Sequence, residues 1–286
     1  MFFRSDLALE CREPLGQKGQ QGLRFNEETL DGCRLTRLEV LDEAGARAIG
    51  KPVGAYVTIE LPPLGEYAQV YGPGMECAAR ELRRMLPPAG HVLVAGLGNA
   101  DMTPDALGPC CCALVLATRH IAGELAQSAG LGSLHPVSCL TPGVLGRTGM
   151  ESAELVAAAV RATEPAAVLS VDALCARKLS RLGCTIQLSD SGIVPGSGVG
   201  NARRELSRGT LGVPVISLGV PTVVDAATLV ADLTDSPGLP TESADMMVTP
   251  REVDLLIDRA AKLCAMAVNR ALQPHLTVED LLELVE

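Results

Sequence analysis

Two aspartates lie where a strand is expected to give way to a helix, and the first is Asp105. An apolar run leads into GLGN, and Thr103-Pro104-Asp105 then has the residue types that begin a helix. Threonine is a good N-cap, and proline suits the first helical position. Asp105 would therefore lie in the first turn, where the helix dipole favours its negative charge. The alternative interpretation is an acid that only supports the start of a helix.

The second aspartate, Asp172, follows the apolar run AAVLSV and precedes ALCARKL, where we predict a helix over 174–182. Aspartate is a favoured N-cap, so this position alone does not indicate chemistry. Two acids at the carboxyl ends of strands in one sheet, however, can face the same crevice. Carboxylates that share a proton split their pKa values, so that one acts as a base and the other as an acid. The pair therefore predicts peptide hydrolysis by an activated water, with Asp105 and Asp172 as catalytic residues.

Glycine-rich segments follow other predicted strands, and the densest is IVPGSGVGN. Glycine permits unusual backbone angles and close approach, so the exposed N–H groups of such a loop could bind a substrate main chain or an oxyanion. A wide turn without a function is the alternative. Ser197 lacks the G-x-S-x-G frame and an obvious histidine partner, which disfavours a serine nucleophile. The candidate substrate-binding residues are Asn99, Gly143, Thr148, Gly196, Ser197, Gly198 and Asn201.

The sequence indicates neither a nucleotide nor a metal. Asp101 stands where the dinucleotide fingerprint has its third glycine, and no G-x-x-x-x-G-K-[ST] run is present. No C-x-x-C or H-E-x-x-H motif occurs, and the four histidines lie far apart along the chain. We therefore expect no cofactor and no metal.

Composition and charge limit the classes of partner and the cellular locations that fit this protein. The net charge is −10, and no Lys/Arg cluster stands out, so direct binding of nucleic acid is disfavoured. The start MFFRSDLALE meets a charge at Arg4 before a signal peptide could develop, and no stretch reaches the length of a membrane span. The ten cysteines are then expected to be reduced thiols of a cytoplasmic protein.

Apolar runs alternate with helical patterns along most of the chain, which predicts an α/β fold. We expect strands at 34–42, 52–61, 91–95, 136–140, 167–171, 185–189 and 213–218, and helices at 42–50, 75–86, 104–126, 151–162, 174–182, 225–233, 250–272 and 277–285. This order predicts a central sheet, largely parallel or mixed, covered on both faces. Residues 1–286 are interpreted as a single peptidase domain, with a mobile lead-in over 1–30 and a polar loop over 234–248.

Seven segments together resemble the germination proteases, in the same order and over nearly the whole chain. They are RSDLALE, GLGN with TPDALGP, PGVLGRTGME, VDALCARKL, TIQLSDSGIVPGSGVGN, LGVPVISLGVPTVVDA and MVTPREVD. The resemblance implies a homotetrameric endopeptidase of the forespore or spore core, which is made as a zymogen and degrades small acid-soluble spore proteins at germination. It also implies an α/β/α sandwich similar to the hydrogenase-maturation peptidases. The family's proposed catalytic aspartates fall on Asp105 and Asp172.

The resemblance also implies a self-processing site. Zymogen sites of the family resemble a Thr-acid pair followed by an apolar residue and alanine, and Ser5-Asp6-Leu7-Ala8 matches this pattern with serine in place of threonine. We predict cleavage between Asp6 and Leu7, with residues 1–6 as a short pro-segment. The chain departs from the family in that short segment, in a shortened loop at 236–246 and in Asp101, an additional acid close to the site.

Two other functions stay open from the sequence. A metal-dependent maturation-type peptidase would use Asp105 and Asp172 as ligands, with His135 as the nearest candidate for a third. A non-catalytic relative would bind peptides through the glycine loops.

Overall fold

A single mixed β-sheet organises the described part of the chain. The computed structural model describes residues 5–15, 21–66, 69–121, 134–196, 203–234 and 246–285. These contain the strands β1 Leu23–Leu30, β2 Cys33–Val40, β3 Gly54–Glu60, β4 Val92–Gly96, β5 Val137–Leu140, β6 Ala167–Ala176, β7 Thr185–Ser189, β8 Val215–Asp225 and β9 Met247–Val248. The strand order is β1-β2-β3-β7-β8-β6-β4-β5, and β9 pairs with β8.

The sheet has a parallel half and an antiparallel half. Strands β4, β5, β6 and β8 run parallel to one another, whereas β1, β2, β3, β7 and β9 join by antiparallel pairing. Every residue of β4 is buried, as is typical of parallel strands that are covered on both faces. The carboxyl ends of the parallel strands meet at one edge of this half, which is where open α/β sheets bind ligands.

Helices cover the two faces of the parallel half, which makes three layers. The helices are α1 Ala8–Arg12, α2 Glu43–Ile49, α3 Pro73–Met85, α4 Leu107–Ala113, α5 Leu145–Thr148, α6 Ser152–Thr163, α7 Arg208–Leu211, α8 Ala226–Thr234, α9 Val253–Leu272 and α10 Val278–Val285. Side chains of β4 alternate between the faces: Val92 and Val94 pack with α3, α4 and α9, and Leu93 packs with α6. The predicted α/β/α sandwich with a mixed sheet is confirmed.

The helix predicted over 174–182 is wrong, because β6 continues to Ala176 and only a 3₁₀ turn follows, at Leu179–Arg181. Pairing with β8 and burial of Leu174 and Ala176 against Leu7 outweigh the helical preference of this segment. β8 likewise runs beyond its predicted end, to Asp225.

The helix predicted over 104–126 is shorter in the structure and ends at Ala113. The buried Asn269 carboxamide accepts a hydrogen bond from the Leu116 N–H and donates one to the Leu114 carbonyl, which satisfies the main chain where the helix stops. Residues 122–126 lie outside the described part.

The predicted lead-in and polar loop also need correction. Within residues 1–30, Leu7 and Ala8 are fully buried, and β1 pairs along its whole length with β2, so most of this segment belongs to the fold. At 234–248, Thr234 is the last residue of α8 and Met247–Val248 pairs with β8, while 235–245 lies outside the described residues. All ten cysteines are free thiols. No helix in the described part is long and apolar enough to cross a membrane.

Candidate active site

Asp105 lies in a short turn after β4. Thr103–Asp105 is a 3₁₀ turn preceded by Met102, and α4 begins only at Leu107. The prediction that Thr103 caps the α-helix is therefore wrong. The carboxylate of Asp105 accepts the Asn99 N–H at 2.8 Å, and the buried Thr222 Oγ1 donates to the Pro104 carbonyl at 2.7 Å. These two hydrogen bonds fix the turn and the direction of its carboxylate.

Glycine lets the loop before Asp105 fold back on that turn. Gly98 has φ +109°, which favours glycine, and a Cβ atom there would lie 2.0 Å from the Asp105 carbonyl oxygen. A Cβ atom on Gly108, at the start of α4, would lie 2.2 Å from the Leu97 carbonyl oxygen and 2.5 Å from that of Val171. The two glycines therefore permit the close packing that places Asp105 beside β6.

Asp172 lies inside β6 and not at the start of a helix as predicted. Its side chain is 5% exposed, and its Oδ1 accepts the Ala173 N–H at 3.0 Å. Because β4 ends opposite Val171, the strand on this side stops one residue before Asp172. The aspartate therefore faces the crevice at the carboxyl ends of the parallel strands.

The electrostatics of the two acids differ. Burial raises the pKa of Asp172 well above its ordinary value, and the negative charges of Asp105 and Asp6 raise it further. Burial also raises the pKa of Asp105, and the Asn99 N–H opposes that shift. The predicted stabilisation of a negative charge at a helix start is therefore outweighed by burial. As the pH rises, Asp105 loses its proton first and Asp172 retains its own.

Both aspartates line a cavity of about 820 Å³. Apolar side chains form much of its wall, including Leu97, Met102, Leu145, Leu174, Ile193, Val194 and Val223. The charged side chains on the wall are Asp6, Lys51, Asp105, Glu151, Asp172, Arg203 and Glu205. A largely apolar cleft with a few convergent polar groups is typical of a ligand site.

The candidate substrate-binding residues separate into three groups. Asn99 and Gly196 line the cavity. Gly143 and Thr148 do not: the Gly143 carbonyl accepts the Ser152 hydroxyl, and the Thr148 hydroxyl bonds within its own turn. Ser197, Gly198 and Asn201 lie outside the described residues.

The chain's own amino-terminal segment reaches the same cavity. Asp6 lines it, with its N–H donating to the Cys175 carbonyl at 2.8 Å and its Oδ2 accepting the Cys175 N–H at 2.8 Å. Buried Glu10 accepts the N–H groups of Arg177 and Lys178 and fastens the segment to the end of β6. The segment therefore lies along β6 of its own chain.

Gln187, Lys51 and Thr222 are site residues that the sequence did not suggest. Gln187 lies on β7 and Thr222 on β8. The sequence around each residue predicts only a buried strand. Lys51 follows α2 and donates to the Ser5 carbonyl at 3.1 Å. Gln187 and Thr222 fall within segments that resemble the germination proteases, but their residue types did not indicate a site, and the order of the strands brings them to the cavity that holds Asp172.

Within the described part of the chain, no group of three or more His, Cys, Asp or Glu side chains is arranged to hold a metal ion. His135 precedes β5, so it lies at the amino ends of the parallel strands, opposite the aspartates. The expectation of His135 as a third ligand is therefore wrong.

Comparison with known proteins decides the family. A model described as germination protease matches residues 6–236. The chain belongs to the germination protease family. It is 40% identical over 318 aligned residues to a germination protease of Caldanaerobacter subterraneus subsp. tengcongensis, covering 99% of this chain and 98% of the relative. A germination protease of Clostridium perfringens is 38% identical over 97% of both chains, and one of Geobacillus sp. is 42% identical over 81% of this chain and 66% of the relative.

As a member of this family, the protein is a peptidase. A solved structure of the [NiFe] hydrogenase maturation protease HycI from Thermococcus kodakarensis aligns with 66% of this chain and 98% of its own at 17% identity. Its TM-score of 0.38 is too low for that similarity to bear on the fold or the site.

Proposed function

We propose that this germination protease family member cleaves small acid-soluble spore proteins with a water molecule activated between Asp105 and Asp172. The observation that carries this proposal is one cavity lined by both Asp105 and Asp172, in which burial, and after it the negative charge of Asp105, raises the pKa of the more buried Asp172. Such a pair supplies a base and an acid at the same pH.

The order of ionisation assigns the roles. The Asp105 carboxylate takes a proton from the water, whose oxygen attacks the carbonyl carbon of the peptide bond. Asp172 gives its proton to the amide nitrogen as the C–N bond breaks, and the proton held by Asp105 restores the pair for the next cycle. The Asn99 N–H holds the Asp105 carboxylate toward the water during this cycle. No metal takes part in these steps.

The test is the turnover of a purified small acid-soluble spore protein by the parent and by Asp105→Asn and Asp172→Asn. Each substitution should lower kcat by several orders of magnitude, because the acid and the base act as a unit. Circular dichroism and thermal unfolding check that both variants are folded. A folded variant with nearly normal kcat would remove that residue from the mechanism.

We also propose that the family's zymogen control acts at Asp6–Leu7, since Asp6 lines the cavity that holds the two aspartates. Intact-mass measurement during incubation at mildly acidic pH should record a new chain that begins at Leu7, and Asp105→Asn should not produce it. An active enzyme that keeps Met1 would contradict self-processing.

The expected homotetramer, and action in the cytoplasm of the forespore or spore core, belong to the same proposal. Sedimentation equilibrium should give four times the mass of one chain, and fractionation of sporulating cells should find the protein in the spore core. A monomer that is fully active would contradict the tetramer.

A further inference from the structure

The strand that carries Asp172 has an open edge next to the aspartate. β4 ends at Gly96, opposite Val171, and the last link on this side is the Leu97 N–H to the Val171 carbonyl at 2.8 Å. β6 continues to Ala176, while on its other side β8 stays paired as far as Val224. From Asp172 onward, β6 therefore has a paired side and a side without a neighbouring strand among the described residues.

The hydrogen-bonding groups on that open side can be identified by alternation. The Val171 carbonyl bonds Leu97 and the Cys175 carbonyl bonds Asp6, so both point away from β8. Ala173 lies between them and points the same way, because the direction alternates along a strand. Its N–H donates to Asp172 Oδ1, and its carbonyl points to the side on which no described strand pairs with this part of β6. Ala173 also lines the cavity, so this carbonyl is available to a ligand.

The far end of the edge already holds the residues that precede α1, mainly through main-chain contacts. Asp6 makes two hydrogen bonds to Cys175, one from its N–H and one to its carboxylate. From β7, the buried Gln187 carboxamide donates to the Asp6 carbonyl at 3.0 Å and accepts the Ala8 N–H at 2.7 Å. Of these four hydrogen bonds, three involve a main-chain N–H or C=O group of the segment and one involves the Asp6 side chain.

We propose that the edge of β6 from Ala173 to Cys175, together with the Gln187 carboxamide, binds the main chain of an extended polypeptide substrate. Asp6 occupies one end of this site in the intact chain. The inference rests on the proposed peptidase function and adds how the substrate is held. A peptide that extends β6 lies directly beside Asp172, and its N–H groups meet the edge at every second residue. Substrates must therefore be unfolded where they bind.

The first experiment is an N-methyl scan of a peptide substrate. Mass spectrometry of the products from a small acid-soluble spore protein gives the cleaved sequence, and a synthetic peptide covering it is methylated at one amide nitrogen at a time. Methylation at alternate positions on one side of the cut should raise KM about tenfold, because each removes a main-chain hydrogen bond. The positions between them should change KM less than about threefold.

The outcomes of the scan separate this inference from the proposed function. Turnover of the parent peptide with a uniform or absent effect of methylation would overturn strand addition and leave the peptidase intact. No turnover of any peptide or of the spore protein would overturn the proposed function itself. An increase in KM at every second methylated position supports the edge of β6 as the binding element.

The second experiment uses Asp6 and needs two matched variants. Asp6→Ala removes the side-chain bond to the Cys175 N–H, whereas Asp6→Asn retains an acceptor at that place and removes only the charge. In the Asp105→Asn background, in which intact mass should show no cleavage, Asp6→Ala should lower the Kd of the synthetic peptide about fivefold, the size expected for one lost hydrogen bond, because the segment then competes less well with the peptide. In the same background, Asp6→Asn should lower this Kd less than Asp6→Ala does. An equal change in both variants, or no change in either, would contradict competition at this edge.

Discussion

Asp172→Asn should make the folded protein more stable while it removes the catalytic acid. The side chain is 5% exposed, and its pKa is raised well above the ordinary value of 3.8. Asparagine has the same shape and keeps an oxygen for the Ala173 N–H, now bonded at 3.0 Å. The substitution therefore changes little except the ability to ionise.

The sign and the size follow from proton linkage. In the unfolded chain Asp172 ionises near its ordinary pKa, whereas in the folded protein it holds its proton to higher pH, so folding takes up a proton. The free energy of unfolding then falls by about 1.4 kcal/mol per pH unit, starting at the unfolded pKa and ending at the folded pKa. Asparagine does not ionise, so the variant does not lose this free energy of unfolding as the pH rises. The advantage of the variant is absent below the unfolded pKa and reaches about 3 kcal/mol two pH units above it.

The assay is thermal unfolding of the parent and the variant from about pH 4 to pH 8, with the slope set by linkage. For a chain of this size, 1 kcal/mol corresponds to about 3 °C in Tm, so the gap should widen by about 4 °C per pH unit until it levels off. Asp258→Asn is the control, because Asp258 is half exposed in a pair with Lys262 and its replacement should change Tm by no more than about 3 °C. A Tm gap for Asp172→Asn that does not change with pH would refute the assignment of a raised pKa to this carboxyl.

Three other substitutions or treatments test the supports of the site. Thr222→Val removes the hydrogen bond to the Pro104 carbonyl and should lower the free energy of unfolding by about 1–3 kcal/mol and kcat about tenfold. Thr222→Ser should restore both, and an unchanged kcat in the valine variant would show that the turn needs no such support. Gly108→Ala forces a Cβ atom against two carbonyl oxygens and should lower the free energy of unfolding, measured by urea titration, by about 3 kcal/mol. Gly65→Ala is the control and should leave that free energy nearly unchanged, because a Cβ atom there meets open space. EDTA should leave turnover unchanged; inactivation that a transition metal reverses would favour a metal-dependent peptidase.

The sequence by itself determined the class of fold and the two acids. Apolar runs such as VLVAG and AVLSV are long enough only for buried strands, and the helical patterns between them require a sheet covered on both faces. Asp105 and Asp172 stood out because each follows such a run, and this relation is local. The hydrophobic pattern therefore predicted which segments form the parallel half of the sheet and which residues follow its strands.

Only the tertiary structure decided where those strands end and what surrounds the acids. ALCA after Asp172 suits a helix by propensity, yet it is a strand because β8 pairs with it and Leu7 packs on it from the far end of the chain. Gln187 and Asp6 reach the cavity because β7 lies beside β8 and because Cys175 has an open edge. Strand order and edge pairing depend on contacts between residues distant in the sequence, 32 positions apart for Gln187 and Gly219 and 169 for Asp6 and Cys175, and no pattern within one segment encodes such contacts.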